Sequence, residues 1–123
     1  MEFFAIADRI TDVDALQARI DIGSLPVYCA SISRLLSHNG DRGEIYCTWG
    51  QFIVHRESIH GGVRFTLPKC PNALAWTITT GFQPAPEKIV IHCTINRAGH
   101  DADFIVSIQT FVQDWQRGLE ARL

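Results

Sequence analysis

The most regular pattern in the chain lies toward its C-terminal end. Phe104, Ile108, Phe111, Trp115 and Leu119 recur at intervals of four, three, four and four, which lines one face of an α-helix. Asp101 is placed to cap that helix and Asp103 lies in its first turn, while Arg117 and Arg122 fall near its end. Acidic groups at the start and basic groups at the end both suit the helix dipole. Between Gly43 and Asn96 the period drops to two. Ile45, Cys47 and Trp49 alternate with Tyr46 and Thr48, and Phe52 to Arg56 continues as a strand after a bulge at Gly50. His60-Gly61-Gly62 reads as a turn, after which Val63, Phe65 and Leu67 alternate with Arg64 and Thr66. Leu74, Trp76 and Ile78 then alternate with Ala75, Thr77 and Thr79. Gly81 to Pro86 is a loop, and Ile89, Ile91, Cys93 and Ile95 alternate with Val90, His92, Thr94 and Asn96. Short connections between consecutive strands make an antiparallel meander.

The first forty residues read as helical or mixed. Phe4 and Ile6 fit a short strand or the start of a helix. Thr11 or Asp12 caps a helix carrying Val13, Leu16 and Ile20, which Gly23 and Ser24 break. Ser24 and Pro26 open a second helix on which Tyr28, Ile32, Leu35 and Leu36 share a face, closed by Asn39-Gly40. The expected architecture is a single α+β domain over residues 1–123. It has two N-terminal helices, a four- to five-stranded antiparallel sheet, and a C-terminal amphipathic helix packed on one sheet face. A helix-grip or similar sheet-and-helix arrangement is compatible, an analogy of fold that carries no function.

The alternation sorts the strands into two faces. Val63, Phe65, Leu67, Leu74, Trp76, Ile78, Ile89, Ile91, Cys93 and Ile95 form an apolar face that matches the C-terminal helix stripe. The other face carries Arg64, Thr66, Ala75, Thr77, Thr79, His92, Thr94 and Asn96, joined by Tyr46 and Thr48 where registers agree. Three uses of this polar face are open. It is an ordinary solvated face, since threonine favours strands without further cause. Alternatively, the N-terminal helices lie across it and close a pocket, with Arg64, Thr77, His92, Thr94 and Asn96 as ligand-binding candidates. Finally, a homodimer pairs two such faces, or two sheet edges.

Composition narrows the classes. The chain has 123 residues, of which 46% are hydrophobic and 20% charged, with a net charge of -2. Folding buries about two-thirds of the surface at this size, enough for a core without staples. Disordered and fibrous classes are excluded. There is no basic stripe interleaved with aromatics, so nucleic acid is not an expected partner. No amphipathic helix is rich in Lys or Arg, and the uncharged stretch before Glu87 is broken by prolines, so no membrane role is expected. The start Met-Glu-Phe-Phe-Ala-Ile-Ala-Asp lacks a basic region and its apolar run stops at Asp8, so a cytoplasmic protein with reduced cysteines is expected.

Candidate chemistry is sparse. Cys29, Cys47, Cys70 and Cys93 form no C-x-x-C pair. Cys47 and Cys93 read as core, whereas Cys70, in Pro-Lys-Cys-Pro-Asn beside Lys69, is the reactive-thiol candidate. His92 and Cys93 point to opposite faces and cannot form a dyad. His55, Glu57 and His60 miss the H-E-x-x-H spacing, and only the first half of a zinc deaminase pattern is present. No metal and no cofactor is therefore expected. The leading expectation is a non-catalytic domain that binds a small molecule or a protein through the polar sheet face or a sheet edge. The alternatives are a small enzyme with a His/Arg or Cys site in a pocket between the sheet and the N-terminal helices, and a structural homodimer.

Overall fold

In the computed structural model, which describes residues 1–96 and 99–123, the alternating segments become seven antiparallel strands. They are β1 (Glu2–Ala7), β2 (Ile32–Asn39), β3 (Arg42–Cys47), β4 (Gly50–Ile59), β5 (Gly62–Thr66), β6 (Ala75–Thr80) and β7 (Ile89–Thr94). The spatial order is β1-β7-β6-β5-β4-β3-β2, so the meander from β2 to β7 is closed at one side by the N-terminal strand. The helices are α1 (Val13–Arg19), α2 (Leu25–Tyr28) and α3 (Ala102–Arg122), with a single 3-10 turn at Ile22–Ser24.

The sheet is wider than the expected four or five strands, because both edges come from the ambiguous first forty residues. β1 settles the open alternative at Phe4 and Ile6 as a strand. The second correction concerns residues 32–39, read as a helix but folded as β2, so that α2 stops at Tyr28. The reason is a bulged strand. Pairing with β3 shifts register between Ile32 and Arg34 and again between Leu35 and Ser37. Each inserted residue lengthens the local period, so Ile32 and Leu35 both reach the core at a helix-like spacing of three. Asn39-Gly40 ends the segment as expected, but as a hairpin turn in which Gly40 takes a φ of +62°. Likewise Gly50 is not a bulge; it opens β4 after the two-residue turn Thr48-Trp49.

α3 packs as its stripe requires. Ile108, Phe111, Val112, Trp115 and Leu119 are buried, and the Asp101 carboxylate accepts from the Phe104 N–H at 2.8 Å. Trp76 stacks on Phe65 with centroids 5.3 Å apart and meets Phe111 edge-on at 4.9 Å. All ten residues of the apolar sheet face expected from the alternation are buried in this core.

The N-terminal helices pack on the same face as α3. Arg56 stands opposite Phe65 in the β4–β5 ladder, so its side chain belongs to the core side. There its Nε donates to the Ile20 carbonyl at 2.8 Å and its Nη2 to the Gln17 carbonyl, both at the end of α1. Leu16, Ile20, Ile22, Leu25 and Tyr28 join the same cluster as Phe65, Trp76 and Phe111. One sheet face is therefore covered by every helix and the other by none.

Candidate functional site

The bare face is built from the outward positions of all seven strands. Its central row crosses the sheet as Glu57, Arg64, Thr77, His92 and Phe4, on β4, β5, β6, β7 and β1. The neighbouring row is His55, Thr66, Ala75, Thr94 and Glu2. Of the candidates named from sequence, Arg64, Thr77, His92 and Thr94 are thus brought onto one surface. Asn96 lies past the end of β7, where its N–H donates to the Asn72 carbonyl.

Geometry limits what this face can do. Arg64 and His92 lie two strands apart, about 10 Å at the usual strand spacing, with Thr77 between them. Each already faces a carboxylate: Arg64 Nη1 donates to Glu57 Oε1 at 2.9 Å, and His92 Nε2 is 3.0 Å from Glu2 Oε1. The His92 ring also stacks on Phe4 at 4.4 Å with an interplanar angle of 9°. Neither side chain is left to bind an anion unassisted. No pocket forms between this face and α1 or α2, because those helices lie behind the sheet. What the face does present is apolar surface set among paired charges. Phe4 is 57% and Tyr46 49% exposed, and Ile6, Ile53 and Ile59 are half-buried.

The thiols separate by burial. Desolvation pushes the Cys93 thiol up to about 12, and raises Cys29 and Cys47 as well, so these three stay neutral at physiological pH. Cys70 is half-buried in the β5–β6 connection, where its N–H donates to the Leu67 carbonyl and its carbonyl accepts from the Ala73 N–H. Cys70 packs against the core, near Cys93 and Cys47, whereas His92 faces the other side of the sheet. His55 and Glu57 share the bare face, whereas His60 sits in the β4–β5 turn against Phe82 at 5.7 Å. Among the described residues no three His, Cys, Asp or Glu side chains converge to hold a metal ion.

Sequence reasoning missed the exposed Phe4 and the Glu2–His92 pair, whereas Tyr46 joins the face as its alternation allowed. Phe4 gave no signal because β1 carries apolar residues on both faces, so alternation could not orient it. Comparison with protein-family models and with curated proteins finds no match in either. No helix among the described residues is long and apolar enough to cross a membrane.

Proposed function

We propose that this chain is a non-catalytic binding module that engages a protein partner through the bare face of its sheet. The observation that carries the reading is the one-sided packing: every helix covers the same face, and seven strands are left open. An exposed surface that mixes aromatic and aliphatic side chains with neutralised charges is the composition of an interaction face. A small-molecule site needs a concavity that buries most of its ligand, and the hollow of ≈ 420 Å³ on this face, at Glu44, Gln51, Ile53 and Lys69, lies open to solvent. The polar pairs favour the same reading, since Arg64 and His92 are each engaged by a carboxylate and set orientation without offering a free group to a substrate. Unpaired thiols at all four cysteines fit a reducing, cytoplasmic setting.

The test is site-specific photo-crosslinking in extract of the source cells. A crosslinking residue at Thr77, in the centre of the face, should capture a discrete protein that a probe at Arg19 on α1 does not. The Tyr46→Ala/Arg64→Ala double variant, folded by circular dichroism, should lose that product. Equal capture from both probe positions, or a product indifferent to the double variant, would overturn the proposal.

A further inference from the structure

The two edges of the sheet differ in kind. β2 is blunted by two register shifts and carries Arg34 and His38, the devices by which edges avoid pairing. β1 has neither. It pairs with β7 without a shift, and from Phe3 to Ala7 it bears no charge. Met1 exchanges both backbone hydrogen bonds with Ile95, so alternate residues Phe3, Ala5 and Ala7 bond to β7. The N–H and C=O groups of Glu2, Phe4 and Ile6 then point out of the sheet, toward no partner among the described residues.

We infer that β1 pairs with β1 of a second copy of this chain, joining two sheets into one continuous antiparallel sheet. The occupant follows from self-complementarity. A two-fold axis at Phe4 sets Phe4 against Phe4 of the partner subunit and Glu2 against the partner's Ile6. That register uses all three outward residues and makes about six hydrogen bonds between strands. The two Glu2 side chains are kept about 13 Å apart, four residues along the strand, so no like charges meet. On the bare face the Phe4–His92 stack is extended by its own copy into a row of four rings.

The helix layer agrees. Beside β1 a groove of ≈ 560 Å³ is walled by Gln109, Gln113 and Gln116 of α3, which recur at helical spacing. A glutamine amide both donates and accepts, so this uncharged stripe can pair with itself across the same axis. The interface is a strip about 20 Å long and about 20 Å tall, one sheet plus one helix layer, so it buries about 800 Å² in total, below the range of stable dimers and within that of weak association. A micromolar dimer is the expectation. This inference is independent of the partner proposed for the sheet face.

Analytical ultracentrifugation of the untagged chain, from about 1 to about 300 μM, reads the association, and amide hydrogen exchange reads the register. Dimerisation should come with slowed exchange at Glu2, Phe4 and Ile6. Phe4→Lys, which sets two cations on the axis, should weaken the dimer at least about 100-fold. A chain that stays monomeric throughout, or a dimer in which those three amides exchange freely, overturns the assignment. The exchange pattern of the unmodified chain decides even if Phe4→Lys fails to fold.

Discussion

Gly118, in the interior of α3, offers a test in which local propensity and tertiary packing disagree in sign. By helix propensity alone, Gly118→Ala should stabilise by about 1 kcal/mol. The packing says otherwise. A Cβ at this position would lie 1.7 Å from the Tyr28 carbonyl oxygen, 2.5 Å from its carbonyl carbon and 2.9 Å from its Cα. All three are backbone atoms of α2, so no rotamer change relieves the clash. Restoring van der Waals contact requires α2 and α3 to separate by about 1.5 Å, which loosens Leu25 and Tyr28 against Trp115 and Leu119. Overpacking of this kind costs up to about 3 kcal/mol. After the propensity gain, a net loss of about 2 kcal/mol remains, or about 8 °C in Tm for a chain of this size. Urea denaturation followed by tryptophan fluorescence measures it, with Thr110→Ala at an exposed position of α3 as control. A Gly118→Ala protein as stable as the parent would refute the close approach of the two helices.

Two further outcomes follow from the core side of the sheet. Arg56, whose side chain is 9% exposed, holds the carbonyls of Gln17 and Ile20; Arg56→Ala should cost about 3 kcal/mol in urea melts, and a loss below about 1 kcal/mol would remove it as the anchor of α1. Burial holds Cys93 neutral up to about 12 against an ordinary value of 9.0, so between those limits the unfolded chain gives up a proton that the folded chain keeps. Stability should therefore fall as pH rises above about 9, by at most about 1.4 kcal/mol per pH unit for this thiol. Melts at pH 8, 9 and 10 should show a shallower decline for Cys93→Ala, and parallel declines would contradict the burial.

What the sequence revealed, and what it hid, divides along physical lines. Strands β5, β6 and β7 and helix α3 were legible because one face of each is buried and the other is not, which imprints a clean period. β2 was illegible for a specific reason: its two bulges convert a period of two into a spacing that imitates a helix at Ile32, Leu35 and Leu36. The side of the sheet taken by α1 and α2 could not be read from their own apolar stripes, which suit either face. Arg56 held that information. It follows Phe52 and Val54 at inward positions of β4, and a guanidinium there demands carbonyl acceptors above the sheet, which the end of α1 provides. Arg64, Thr77, His92 and Thr94 were correctly grouped by alternation, but their pairing with Glu57, Glu2 and Phe4 depends on strand order, which no local pattern encodes.

The union of the first and last elements bears on how the chain is made. β1 is held by β7, and Asp8 and Arg9 just after it are held by Glu120 and the Leu123 carbonyl of the α3 end, over separations of 94 to 114 residues. Contacts this distant form late and slow the search for the native state. During synthesis, β5, β6 and β7 leave the ribosome with Phe65, Trp76 and Ile91 still lacking the helix that will cover them. The nascent chain then carries an uncovered aromatic surface until α3 emerges, and a product truncated before Phe111 keeps that surface permanently open to aggregation.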